Sequence, residues 1–181
     1  MSTRTLLTAD ELEQMPDDDS VRLELDEGEL ITMPPVGLEH ADYESNICTL
    51  LKSYVREHRL GKVYTGDGGF RLRDDTVRAP DVAFVRQERV QSVQRGGFGK
   101  GAPDLAVEIF SPSDSVRQLM RKVKQYFAAG CHTVWIVYAE RREVNVLEAT
   151  GADRLLKGDD LLEAPELLPG FSVRVAELFE D

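Results

Sequence analysis

The sequence predicts one mixed α/β domain of α+β character: a mixed β-sheet flanked by helices, with a helix and a hairpin ahead of it. Three observations carry that prediction. Residues 104–138 read as strand, helix, strand, a βαβ unit whose two strands run parallel beneath the crossover helix. The short strands ahead of this unit supply antiparallel neighbours for it. The 181 residues, 41% of them hydrophobic, can bury one core without staples, so a single domain over 1–181 is expected.

Taken in order, Thr8 followed by Glu11 has the pattern of a capping box and opens a short helix that ends before Pro16 and the acidic turn of Asp17, Asp18 and Asp19. "RLELDEGELITMPP" reads as a hairpin turning at Asp26, Glu27 and Gly28 and ended by two prolines. From Glu39 to His58, Tyr43, Ile47, Leu50, Leu51, Tyr54 and Val55 recur at spacings of three and four, which predicts a long amphipathic helix stopped near Gly61. "KVYT", "GFRLR" and "DVAFV" are short strands. Residues 86–103, with glycines at 96, 97, 99 and 101, are expected to form a mobile loop.

The strand over 104–110 places Leu105, Val107 and Ile109 on one face and Asp104, Ala106, Glu108 and Phe110 on the other. Ser111 then caps a helix with Pro112 at its first position, and Val116, Leu119, Met120, Val123 and Phe127 form its apolar stripe up to Gly130. "HTVWIVYA", "REVNVLEA" and "LPGFSVRV" are further strands, the last behind a turn. Trp135 and Tyr126 are expected in the core.

Composition narrows the function classes. No apolar run approaches the roughly 18 residues of a membrane span, and "MSTRTLLTADELEQM" lacks the apolar core of a signal peptide, so a cytoplasmic protein is expected. Cys48 and Cys131 lack a CxxC pattern and read as reduced core thiols. The net charge of −11 opposes binding to a polyanion. It is unevenly spread, however. Residues 1–44 carry 13 acids and 2 bases, and residues 140–181 carry 11 acids and 5 bases, whereas residues 45–139 hold 15 bases against 9 acids. The middle of an acidic chain is therefore basic.

Glu108 lies in that basic part, on a strand otherwise apolar, where an unpaired buried charge costs several kcal/mol. It either points to water or is held for a purpose. Asp81 begins "DVAFV" directly after Pro80, and if the two strands are neighbours both carboxylates converge at one edge of the sheet. Asp104 lies about 13 Å along the strand from Glu108 and does not join them. Two carboxylates from adjacent strands make a hard oxygen site suited to Mg2+ or Mn2+. A lysine close by would orient water or stabilise developing charge. Lys122 and Lys124 flank opposite edges of the helical stripe, and geometry alone does not choose between them.

The order "RAPDVAFV", "GAPDLAVEIFSPSDS", "KVKQYFAAGCHTVWIVY", "LPGFSVRVAELF", opened by "LELDEGELITMPPVGLEH", resembles the Uma-type putative restriction endonuclease family, a branch of the PD-(D/E)XK nuclease superfamily. The resemblance covers nearly the whole chain and implies a restriction-endonuclease-like core with a divalent-metal nuclease site. It makes Asp81 and Glu108 the metal ligands and, with Phe110 standing where the superfamily usually has its lysine, selects Lys122 ahead of Tyr126 as the third catalytic residue. His40, Lys124 and Tyr126 are auxiliary candidates. Gln118, and the pair Tyr138 and Ala139, replace an acid and an Asp-Pro often found in the family.

The expected function is then a divalent-metal-dependent DNA endonuclease acting as a homodimer, with Arg71, Arg73, Arg78, Arg117 and Arg121 gripping phosphates. The alternative is a catalytically inactive nuclease-fold protein that serves as a binding or regulatory module.

Overall fold

The computed structural model describes residues 6–16, 21–94, 96–111 and 114–180. Helix α1 (Ala9–Glu13) starts at the expected capping box: the Glu11 amide donates to the Thr8 hydroxyl, and the Thr8 amide donates to the Glu11 carboxylate at 2.8 Å. The acidic turn at 17–19 and Pro112 lie outside the described residues. Strands β1 (Arg22–Asp26) and β2 (Glu29–Met33) form the hairpin, in register from Arg22 opposite Met33 to Asp26 opposite Glu29. Its two-residue turn needs positive φ twice, and Glu27 at 51° and Gly28 at 86° supply it. Helix α2 (Leu38–Glu57) matches the predicted amphipathic helix within a residue at each end.

Four strands follow: β3 (Gly61–Thr65), β4 (Phe70–Arg73), β5 (Thr76–Arg78) and β6 (Val82–Arg86). The sequence reading omitted β5, because "TVR" is too short to show alternation. The region expected as a mobile loop instead holds helix α3 (Gln87–Val93) and strand β7 (Gly99–Lys100). Val90 and Val93, one turn apart, pack on Phe70, Ala83 and Val85, and this small cluster outweighs the local glycine content. After β8 (Leu105–Phe110), helix α4 (Val116–Ala128) is capped by Ser115, whose hydroxyl accepts from the Gln118 amide, and not by Ser111. The chain continues through β9 (Thr133–Tyr138), β10 (Glu143–Glu148), β11 (Asp153–Lys157), β12 (Leu161–Glu163) and β13 (Ser172–Arg174).

These strands build two mixed sheets and a ribbon where one mixed sheet was expected. The larger sheet runs β11-β10-β9-β8-β6-β3, with β8 and β9 parallel as the crossover requires and the remaining pairs antiparallel. The second runs β2-β1-β5-β4-β7, and β12 pairs with β13. Alternation along β8 divides the core. Leu105, Val107 and Ile109 face α2 and join Ile47, Leu51, Trp135 and the C-terminal residues Phe171 and Leu178. Ala106 faces α4 and joins Leu119, Val123, Tyr126 and Ile136. Each fully buried aliphatic side chain contributes about 1.5–3 kcal/mol. The buried stripe of α4 is narrower than predicted, since Val116 and Met120 are exposed. Cys48 and Cys131 are buried free thiols, and burial pushes Cys131 up to about 12.

Candidate active site

Glu108 lies on the α4 face of β8, so the alternation that buries Leu105, Val107 and Ile109 beneath α2 turns its carboxylate toward α4. The antiparallel register, with Val82 opposite Val107, brings Asp81 at the entrance of β6 across from Glu108. Asp81 and Glu108 are 8% and 7% exposed, so neither is a solvated strand residue. Asp81 Oδ2 accepts the Ile109 amide at 2.7 Å, which leaves Oδ1 directed to His40 Nε2 at 3.3 Å and Arg22 Nη1 at 3.6 Å. Asp104, at the far end of β8, is held by Arg86 and Arg89 and takes no part, as its spacing predicts.

Helix α4 supplies the partners of Glu108. Lys122 and Tyr126 are four residues apart and so share one helix face. The Tyr126 hydroxyl donates to Glu108 Oε1 at 2.6 Å, and Lys122 Nζ lies 3.2 Å from Oε2. Lys122 Nζ also lies 3.0 Å from Oε1 of Glu24, a fully buried residue of β1. Glu24 in turn accepts from Arg78 Nη1 at 2.8 Å and from the Ala79 amide at 3.0 Å. The hairpin sheet therefore reaches the same site as the central sheet.

On α2, His40 and Glu44 are again four apart and face Asp81. Ligand atoms of His40, Glu44 and Asp81 all lie within 4.8 Å of one another. His40 Nδ1 is 3.3 Å from the Ser111 hydroxyl, and Glu44 pairs with Arg22 at 3.3 Å. These groups open onto a cleft of about 400 Å³ lined by Arg22, Glu24, His40, Asp81, Glu108 and Lys122, with Pro34, Pro35 and Gln118 at its walls.

The electrostatics follow from burial. Loss of solvent pushes the Glu108 carboxyl up to about 7; the Lys122 ammonium and the Tyr126 hydrogen bond oppose this, while Asp81 and Glu24 reinforce it. Burial disfavours the Lys122 ammonium, yet Glu108 and Glu24 outweigh it and hold the lysine above its ordinary value. The Asp81 carboxylate beside its Nε2 raises His40, against a smaller effect of burial. Burial, assisted by Glu108 and Glu24, raises the Tyr126 phenol well above 10.

The structure thus brings together Asp81, Glu108, Lys122, Tyr126 and His40. Lys124 is exposed and does not line the cleft. The arginines divide differently from expectation. Arg78 is 2% exposed and spans Glu24, Asp26 and Gln125, so it has no surface to offer a phosphate. Arg71 is paired with Asp10 and Asp74, Arg73 with Asp75, and Arg121 with Asp26 and Glu27. Arg117 is exposed on α4.

Sequence reasoning missed Glu24, Glu44 and Arg22. A signal existed for two of them. "LEL" around Glu24 is the same acid-among-aliphatics pattern that marked Glu108, and the four-residue spacing of His40 and Glu44 places both on one face of α2.

Comparison with known proteins agrees with this architecture. A crystal structure of a putative nuclease of the DUF820 group from Anabaena variabilis superposes with a TM-score of 0.81 over 96% of this chain and 97% of that one, at 21% identity. At that identity the likeness establishes a shared restriction-endonuclease-like fold. No curated protein matches the sequence. The family of putative restriction endonucleases designated Uma2 matches residues 9–176, from the start of α1 to just beyond β13. With nearly the whole chain covered by that match, the protein belongs to the Uma2 putative restriction endonuclease family.

Proposed function

We propose that this protein is a divalent-metal-dependent DNA endonuclease that hydrolyses phosphodiester bonds, with Asp81 and Glu108 as metal ligands and Lys122 as the third catalytic residue. The observation that carries the reading is the convergence of these three side chains, from β6, β8 and α4, at one cleft of a nuclease-family fold. The donors suit a hard cation. Asp81, Glu108 and Glu44 offer carboxylate oxygens, and the single imidazole of His40 is compatible with Mn2+ as well as Mg2+. Such an ion, when bound, activates water and neutralises charge on the phosphodiester.

The chain's own residues supply the rest. The Ile109 amide fixes one oxygen of Asp81 and so orients the other toward the cleft. Tyr126 orients Glu108 in the same way. Lys122, kept charged by Glu108 and Glu24, positions water or stabilises the negative charge that develops at phosphorus. His40 aligns Asp81, and Arg117 is the cation of the predicted set best exposed to meet a phosphate. A symmetric dimer would present two such sites to the two strands of a duplex.

One observation favours the alternative, a nuclease-fold protein without turnover that serves as a binding or regulatory module: the other four arginines of the predicted phosphate grip are paired with carboxylates, which weakens the hold on a DNA substrate. Calorimetry with Mg2+ on wild type, Asp81→Ala and Glu108→Ala, followed by cleavage of supercoiled plasmid by the same samples, separates the two. Binding and nicking that vanish in both variants support the nuclease. A folded wild type that neither binds the ion nor cuts refutes it.

A further inference from the structure

We propose that Glu24 is the positioning residue for Lys122: the buried carboxylate of the hairpin strand anchors the ammonium at the cleft, and Glu108 is its secondary partner. This rests on the reading of Lys122 as a catalytic residue.

The two carboxylates that share Lys122 are not equivalent. Glu24 is fully buried, accepts two hydrogen bonds, from Arg78 Nη1 at 2.8 Å and the Ala79 amide at 3.0 Å, and forms an ion pair with Lys122 Nζ at 3.0 Å. Arg78 is itself held by Asp26 at 2.7 Å and by Gln125 of α4 at 2.8 Å. Glu24 is therefore immobile and its oxygens are already in use, which makes it a poor metal ligand and a good anchor. Glu108 is the opposite. Among the described residues, Tyr126 and Lys122 hold its side chain, at 2.6 and 3.2 Å, and it is the carboxylate that a cation in the cleft would claim. Whenever Glu108 turns to another partner, Lys122 loses that contact and keeps the one to Glu24. The ammonium stays in place because its anchor lies on a different sheet from the metal ligands. The hairpin thereby becomes a working part of the site.

The test uses the full-length protein without metal. Reductive methylation of lysine amines by formaldehyde and a borohydride, read by mass spectrometry, reports how firmly each ammonium is held. Lys124, exposed on the same helix, is the internal control. Glu108→Gln is expected to leave Lys122 within about twofold of its wild-type protection, and Glu24→Gln to raise its methylation at least tenfold, with Lys124 unchanged. Release of Lys122 in Glu108→Gln, or full protection in Glu24→Gln, overturns the proposal. If Glu24→Gln does not fold, the Glu108→Gln sample decides alone. Plasmid cleavage then tests the catalytic consequence: Glu24→Gln should lower kcat with Mg2+ affinity within about threefold, and adding it to Lys122→Met should cost nothing more. An additive loss overturns the positioning role. Absence of cutting by the wild type, with the methylation pattern intact, refutes the nuclease reading and leaves Glu24 as the anchor of Lys122.

Discussion

Replacing Glu108 by glutamine should change how stability depends on pH, and in a direction opposite to the usual salt-bridged acid. In the metal-free protein burial raises the Glu108 carboxyl from an ordinary 4.5 to about 7. Between those values the folded chain keeps a proton that the unfolded chain has released. Stability must therefore fall as pH rises through this window, because the folded state is the one that binds more protons. At about 1.4 kcal/mol per pH unit, the full loss reaches roughly 3 kcal/mol by pH 8. Glutamine has no such proton. It keeps an acceptor for the Tyr126 hydroxyl and leaves Lys122 its contact with Glu24. Urea unfolding of both proteins in EDTA at pH 5, 6, 7 and 8 measures the difference directly. The wild type should lose ground to the variant steadily across the series. A stability difference that is flat with pH, or that grows in favour of the wild type as pH rises, would show that Glu108 is an ordinary ionised partner of Lys122 and would refute the reasoning.

Four other perturbations separate the roles of the site's parts. Lys122→Met should reduce plasmid cleavage by about 10²–10³ while Mg2+ affinity, read by calorimetry, changes little, since it removes charge stabilisation and no ligand. Arg78→Ala should cost about 3–5 kcal/mol in chemical denaturation, because it leaves Glu24 buried beside one cation instead of two, whereas Arg117→Ala should leave stability within about 0.5 kcal/mol and weaken DNA binding in a salt-dependent way. Binding of a labelled duplex, followed by fluorescence anisotropy, should be weak in EDTA and recover with Ca2+, an ion that fits the oxygen donors; equal affinity with and without the ion would contradict a metal-dependent site.

The elements were legible wherever periodicity was long or capping was explicit. The α2 helix, the hairpin turn at Glu27 and Gly28, and the parallel β8 and β9 pair follow from spacing alone. Helix α3 was not, because its two apolar residues gain their meaning only from Phe70 and Val85, which lie on other strands. The same division holds at the site. Asp81 and Glu108 could be picked as acids at strand positions, but the choice of Lys122 over Lys124 needed the family pattern, and the distances to Glu108 supply the physical reason for it. Glu24 carried the acid-among-aliphatics pattern of "LEL", but its partners were out of reach: Arg78 is 54 residues away, and an ion pair between strands of a sheet leaves no local spacing to read.

The charge distribution was read correctly as composition and incorrectly as surface. A basic centre of 15 bases suggested a band of cations for DNA, yet the structure turns two of them, Arg78 and Lys122, into the site. Arg78 and Lys122 sit against Glu24, and Arg22, from the acidic first stretch of the chain, sits against Glu44 and Asp81. Three carboxylates brought to one buried site, Glu24, Asp81 and Glu108, would repel one another and any phosphate. Arg22, Arg78 and Lys122 are what permit them to be gathered there. These cations neutralise the site internally, while Lys52, Arg56, Arg59, Lys62, Arg117 and Lys124 stay exposed at the surface. On the proposed reading, a divalent ion at Asp81 and Glu108 should strengthen binding to DNA, and the acidic ends of the chain should sharpen that dependence by opposing non-specific association.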